Sequence, residues 1–516
     1  MTATGRLLRP ITGSPTRTIG PVVASILICA AAAVVGVATG ESGIIVVAAL
    51  VMAIGALAIA IRPDTATLVV IAILYSNAAA IAVQRYDVPY FAGAAFPLLL
   101  VVPFAYHIVI RRQPIVIATG LPWMLGYFIV MILGTVAGMA ADPDKALESL
   151  VTFAVEGLLI YFVTTNVIRS LVDLQRVVWV LLLVGGVIGA LSVHQQATES
   201  FDNDYGGFAK VSDATLDAGT PDEAGQPRLA GPVGEKNRYA QVMVVLIPLG
   251  LLLVWTTRKT SVRIVAAVAT ALIASGAVLT FSRGAALGFA ITILLMAVLG
   301  YIKPTQVVAV AIGVMVLFTV QPIYLERLLT IEALSGAAEN PGAALAEDDS
   351  FRKRANETIA ALLVFSDHPL LGVGRGLFPV YYGDYADEVG IIHDLEARQA
   401  HNLYAGMAAE TGLPGLIFFM GIFISTLIAL ARVRRRCAVI APQHAAMATA
   451  FLLAIVAYLT TGVFLHLAYE RYLWILLALA ASAAYVGQQV PVPERDPAPA
   501  RRSLRAPGGL VGGSAG

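Results

Sequence analysis

The sequence predicts an all-α fold, a polytopic integral membrane helical bundle of about 12–14 spans with two long outer loops. Three observations carry this: a composition too apolar for a water-soluble chain, a succession of apolar runs of spanning length, and basic residues confined to alternate loops. Of 516 residues, 58% are hydrophobic and 13% charged. A soluble domain carries roughly 25% charged residues to coat its surface, so most of this chain belongs in lipid. There, helices are the elements that satisfy their backbone polar groups within one segment. Net charge is +1 and says little beside its distribution. The two cysteines are Cys29 in an apolar run and Cys437 in a basic loop. They give no disulfide framework and no CxxC metal or redox site. No cofactor, metal or nucleic-acid partner is expected.

The first twenty residues are polar and basic (Arg6, Arg9, Arg17), and the apolar run after them lacks a small-residue cleavage site. This reads as a retained first span. Predicted spans are 21–39, 43–61, 66–83, 91–110, 121–140, 147–168, 174–193, 238–256, 263–281, 284–302, 305–322, 403–431, 444–466 and 471–488. The chain divides accordingly into a tail at 1–20, N-terminal helices over 21–193 and a loop at 194–237. Central helices over 238–322, a large loop at 323–402, C-terminal helices over 403–488 and a disordered Pro/Gly/Arg-rich tail at 489–516 follow.

Loop charge orients the bundle, because cytoplasmic loops collect Lys and Arg. One set holds Arg62, Arg111, Arg112, Arg169, Arg176, Arg258, Lys259, Arg263, Lys303, Arg432, Arg434 and Arg436, with both termini. The alternate set holds Glu41, Arg85 with Asp87, Asp142, Asp144, the Ser282–Arg283 turn, Glu470 and both long loops. Strict alternation puts every basic loop on one side. The expectation is a multi-pass protein of the cytoplasmic (inner) membrane with both termini inside and both long loops outside. Loops beyond about fifteen residues are usually functional or disordered. The second contains a predicted amphipathic helix over 351–365, with Ile359, Leu362 and Leu363 at helical spacing.

Three stretches, all on the outer side, have the makings of a site. The first runs from Arg228 through Asn237 and Arg238 into a span. The second is Phe281-Ser282-Arg283-Gly284, between two spans. The third is His401-Asn402-Leu403-Tyr404 followed by Glu410-Thr411-Gly412. Between the last two lie Arg354 and Asp367-His368-Pro369-Leu370-Leu371-Gly372-Val373-Gly374. In kind and order these resemble the motifs of the O-antigen ligase/polymerase family, over residues 228–430, about 40% of the chain. The resemblance implies a GT-C-like membrane glycosyltransferase, inverting and metal-independent. Its partners would be a polyisoprenyl-diphosphate-linked glycan donor, a glycan or lipid-glycan acceptor and the membrane lipids. His401, Arg283 and Arg228 would be catalytic, and Asn237, Arg238, Ser282, Arg354, Asn402 and Glu410 would bind substrate. Lys236 departs from the family pattern.

The residue types suit that chemistry. A diphosphate leaving group gathers charge as the glycosidic bond breaks, and Arg228 and Arg283 offer always-ionised forks to its oxygens. A sugar hydroxyl is a poor nucleophile until it loses its proton, and an imidazole titrating near about 6.5 suits His401 as base. His368 and His393 are weaker competitors. On a regular helix Glu410 lies on the opposite side from His401, which favours a structural role.

Simpler readings stand beside these. Arg283 could snorkel at a helix end, Arg228 could be an ordinary loop charge, and His401-Asn402 could be a helix start. Glu156 inside a span calls for a polar partner in the bundle. Asp202-Asn203-Asp204 reads as solvated loop, and Gly185 with Gly189 as helix packing. Gly372-Val373-Gly374-Arg375-Gly376 lacks a βαβ setting and reads as a turn, not a nucleotide loop. Within glycan transfer, ligase-type activity is favoured over a repeat-unit polymerase. A transporter or flippase of lipid-linked sugars would show mid-membrane ionisable residues and an internal repeat. Glu156 alone meets the first condition, and no repeat is evident. A scaffold in an envelope assembly would leave the arginines and histidine unexplained.

Overall fold

The computed structural model describes residues 62–89, 96–138, 141–212, 227–298, 349–388, 398–467 and 470–491, with a few isolated positions beyond them. The predicted spans 21–39 and 43–61, nearly all of 305–322, the start of the second long loop, His393, Cys29 and almost all of the C-terminal tail lie outside the described residues. In chain order the helices are α1 (Thr65–Tyr75), α2 (Ala78–Tyr86), α3 (Phe96–Ile110), α4 (Leu121–Gly138), α5 (Pro143–Val167) and α6 (Leu171–Ala197). They continue as α7 (Lys236–Thr256), α8 (Thr260–Val278), α9 (Arg283–Val298), α10 (Asp349–Asp367), α11 (Phe378–Glu388), α12 (Leu403–Ile440), α13 (Pro442–Gly462) and α14 (Glu470–Gln488). Among the described residues the only sheet is an antiparallel ribbon of β1 (Lys210–Ser212) and β2 (Arg228–Gly231).

Six helices (α5, α6, α7, α8, α12 and α13) are long and apolar enough to cross a membrane. The bent pair α1 and α2 makes a seventh if counted as one span. The surface agrees with that reading. Ile129, Leu133 and Val136 on α4, Ile264, Val265 and Val268 on α8, and Ile417, Ile424 and Ile428 on α12 are exposed. Apolar belts of this kind are the contact surface of a bundle in lipid. The protein is an all-α, multi-pass membrane bundle.

Small residues set the helix spacing. A Cβ on Gly189 of α6 would lie 2.3 Å from the carbonyl oxygen of Leu272 in α8. The two helices therefore touch backbone to backbone, as small residues permit in membranes. Ser170, Glu235 and Asn402 cap α6, α7 and α12, their side-chain oxygens accepting from the free N–H groups of the first turn.

Three sequence expectations change. The span expected at 66–83 is broken: α1 and α2 meet at 58° because Asn77 takes a left-handed backbone, φ 58°. Its amide donates to the Pro232 carbonyl at 2.9 Å, tying the break to the loop after β2. Helix α12 continues past 431 to Ile440, so Cys437 is buried inside it and not in a loop. Arg and Ala are strong helix formers, and Pro442 opens the next helix. The amphipathic helix forms, yet its buried face is Glu357, Ala360, Ala361 and Val364, while Ile359 and Leu362 are exposed. The alanines let α10 lie close on Ala405 and Ala409 of α12, so the bulky residues turn outward.

Helix α12 is itself interrupted. Gly412 has φ 65° and ψ −173°, and Pro414 follows two residues later. The segment after α10 repairs the break: Val373 N–H donates to the Ala409 carbonyl and Gly374 N–H to the Glu410 carbonyl, both at 3.0 Å. Leu413 N–H donates to the Pro369 carbonyl at 2.8 Å. Gly372 fits here because of its positive φ of 65° and because a Cβ would fall 2.3 Å from the Glu410 carbonyl carbon. Gly372→Ala should therefore cost more than about 1 kcal/mol and lower the apparent melting temperature in detergent. Gly383→Ala, which meets nothing within 4 Å, should leave it unchanged.

Candidate active site

Two neighbouring clusters form at the end of the bundle where α9 and α12 begin. In the first, Ser282 caps α9: its hydroxyl accepts from Ala285 N–H at 3.4 Å. The residue before it, Phe281, is buried with φ 53°. Arg228 braces this turn from β2, donating from Nε to the Thr280 carbonyl at 2.9 Å and from Nη2 to the Phe281 carbonyl at 3.2 Å. Arg283 is the first residue of α9 and half-buried. A narrow cleft at this N-terminus is lined by Asn237, Ser282, Gly284, Ala285, Arg354, Thr461, Phe464 and Leu465. It brings together Asn237, Ser282 and Arg354, residues spread over three separate stretches. Free N–H groups and the dipole at a helix start favour an anion.

The second cluster is built on His401, whose φ of 38° is rare for a non-glycine residue. Its Nδ1 lies 2.8 Å from Oε2 of Glu357 and 3.1 Å from the Gln399 carbonyl. Glu357 is 1% exposed and its other oxygen lies 3.4 Å from Arg398 Nη1. The ring of His466, on the turn between α13 and α14, packs edge-on against His401 at 5.4 Å. That turn joins the clusters: Leu465 lines the cleft, and Arg238 donates to the His466 carbonyl. Burial, with the positive charges of Arg238, His401 and Arg375 around it, pushes the His466 imidazole well below its ordinary range.

Other sequence candidates have protein partners. Arg238 is 2% exposed and also donates to Gln241 Oε1 at 2.6 Å, and its N–H is held by Glu235. Asn237 likewise donates its amide to Glu235, at 3.1 Å. The Asn402 side-chain oxygen accepts from Tyr404 and Ala405 N–H, so that oxygen is a helix cap. Glu410, away from His401, is buried in an ion pair with Arg375, which also reaches Glu470 at 2.8 Å and the Leu467 carbonyl at 3.1 Å. Glu156 faces Arg471, at 3.9 Å. His368, at the end of α10, is exposed and packs on Tyr381. No group of three His, Cys, Asp or Glu among the described residues is placed to hold a metal.

Residues 268–420 match the family model described as O-Antigen ligase. Over that stretch the chain is similar to the O-antigen ligase family. The match takes in Ser282, Arg283, Arg354, Glu357, His401, Asn402 and Glu410; Arg228, Asn237, Arg238 and His466 lie outside it. The family implies a glycosyltransferase-like enzyme of polysaccharide biosynthesis that acts on lipid-linked glycans. No curated protein matches the chain.

The sequence reading passed over Glu357, His466 and the pairing of Arg375 with Glu470. Glu357 carried a signal: it heads the stripe formed with Ala360, Ala361 and Val364, and a carboxylate on a buried stripe needs a partner. His466 carried none, since its neighbours come from distant segments.

Two outcomes follow. Because the folded His466 value is depressed, the unfolded chain binds the extra proton, and stability falls as pH drops below about 6.5. His466→Gln should flatten that part of a melting-temperature-against-pH curve. Arg375→Gln strands two carboxylates, a loss of about 3–5 kcal/mol, read as collapse of the monodisperse fraction in size-exclusion chromatography. Adding Glu410→Gln should recover part of it.

Proposed function

We propose that the chain transfers a glycan from a polyisoprenyl diphosphate to a sugar hydroxyl, in the manner of an O-antigen ligase. The observation that carries this is one cleft holding the α9 N-terminus, Asn237 and Arg354, with His401 beside it. Arg354 and Glu357 are three residues apart on α10, hence on one helix face about 5–6 Å from each other. The α13–α14 turn links the cleft to His401, with Leu465 lining the cleft and the His466 ring packing on the imidazole. The alternation of loop charge supports an outer-side location for this end of the bundle, where a lipid-linked donor would be presented.

In this reading the diphosphate sits at the start of α9, its oxygens met by Arg283, Arg354 and backbone N–H groups. Arg228 holds the turn that aims them. The acceptor hydroxyl loses its proton to Nε2 of His401 as its oxygen attacks the anomeric carbon. The C–O bond to phosphate breaks on the opposite face, inverting that centre, and the diphosphate leaves with the bonding pair. Negative charge grows on the leaving oxygen, so fixed cations there stabilise the transition state more than the ground state. This displacement needs no electrophile beyond these cations, which suits metal-independent transfer.

Purified protein in lipid nanodiscs, given a polyisoprenyl-diphosphate oligosaccharide, should release polyisoprenyl diphosphate and extend an added acceptor. A glycolipid core serving as acceptor marks a ligase; a second lipid-linked glycan marks a polymerase. Arg283→Ala and Arg354→Ala should each lose about 10²–10³-fold in turnover and His401→Ala about 10²–10⁴-fold, at unchanged melting temperature. Wild-type turnover in all three would refute the site.

A further inference from the structure

We infer that Glu357 is a positioning residue that fixes the tautomer and ring orientation of His401. This rests on the reading of His401 as the base. Nδ1 donates to the Gln399 carbonyl at 3.1 Å, and Oε2 of the buried Glu357 carboxylate lies 2.8 Å from it as a charge neighbour outside hydrogen-bond alignment. A bare Nδ1 would aim its lone pair at the carbonyl oxygen with a carboxylate beside it, so the proton sits on Nδ1. Nε2 is then left with the lone pair a base needs. The second tautomer would carry its proton at Nε2 and could not accept one from a sugar hydroxyl.

The carboxylate is held for this task. Glu357 lies on the buried stripe of α10, wedged where Ala360 and Ala361 bring that helix against α12. The His466 ring closes one side of the imidazole. When His401 takes the acceptor proton, the new charge faces one carboxylate, Glu357. The other groups around it are Arg398 on the approach to α12, neutral His466 on the α13–α14 turn and Arg238 of α7, which holds the His466 carbonyl. With cations on two of these elements, Glu357 is the counter-charge that makes proton uptake favourable. A carboxylate behind a catalytic histidine orients the ring and stabilises the imidazolium.

Two measurements test this on the full chain in nanodiscs. The first needs no substrate: ¹⁵N spectra of histidine-labelled protein, with His401 assigned by the signal lost in His401→Gln. Wild type should show a protonated Nδ1 and a bare Nε2, and Glu357→Ala should relax that preference. A bare Nδ1 in wild type, or an unmoved spectrum in Glu357→Ala, overturns the inference. The second is the pH–rate profile with the polyisoprenyl-diphosphate oligosaccharide. Glu357→Gln should lower kcat about 10–100-fold with little change in donor KM, and its acid limb should move to lower pH, since the lost negative charge no longer favours the imidazolium. Glu357→Asp should recover part of kcat. A loss equal at every pH with an unmoved limb, or wild-type kcat in Glu357→Gln, overturns it. Turnover persisting in His401→Ala would instead remove the base assignment and leave the tautomer result standing.

Discussion

A helix interrupted inside a bundle leaves backbone N–H and C=O groups without partners, and in lipid each costs several kcal/mol. The break in α12 at Gly412 is the constraint from which the surrounding architecture follows. Its open carbonyls at Ala409 and Glu410 are closed by Val373 and Gly374, and its open Leu413 N–H by Pro369. Segment 369–374 is thus fixed against α12 by main-chain bonds that no substitution of side chains alone would replace. Arg375 is carried by that segment into reach of Glu410 and Glu470, pinning the start of α14. The preceding helix, α10, has nowhere to lie but along the first turns of α12, which brings Arg354 to the cleft and Glu357 to His401.

The arginines at this end divide by what they hold. Arg228 and Arg238 are almost wholly buried and spend donors on the carbonyls of Thr280, Phe281 and His466. A guanidinium can bridge two carbonyls in a fixed plane, which an ammonium cannot, so these two shape turns. Arg283 and Arg354 are less buried and stand at the start of α9 and on the cleft wall. Charge of one sign gathered beside helix N-termini raises the local potential for an anion. The shaping arginines add to that potential even while bonded to backbone, because hydrogen bonding leaves their charge in place.

Much of the bundle was legible in the sequence because apolar length is a local property: the predicted spans among the described residues fall on helices, the one at 66–83 on two, and six of those helices are long and apolar enough to cross. The errors fell where local rules compete. Asn77 bends a run that is apolar throughout, and the Arg-rich end of α12 reads as loop by polarity and as helix by propensity. In the site, Ser282, Asn237 and Arg354 were named from their motifs and share one cleft. Glu410, named both as a substrate-binding candidate and, from its angle around the helix, as structural, pairs with Arg375. Glu357 was missed because its partner, His401, is supplied by another helix, and the pairing depends on which face of α10 is buried. That face was misjudged: a stripe of Ile and Leu looks more like a core than a stripe of Ala does. Close contact between helices needs small residues, so the alanines of α10 face α12 and the larger Ile359 and Leu362 turn outward.

The two motifs at the site share one local design. Phe281 and His401 both take left-handed backbone, each directly before a capping residue, Ser282 or Asn402, and each cap opens a helix. A non-glycine residue in that region costs of order 1–3 kcal/mol and persists only where its surroundings over-determine it. For Phe281 the surroundings are the two bonds from Arg228 to the turn. For His401 they are Glu357, Gln399 and the His466 ring. Strain at these two positions is the cost of the sharp entry that sets Ser282 and Asn402 as caps at two helix starts, where each side chain meets first-turn N–H groups.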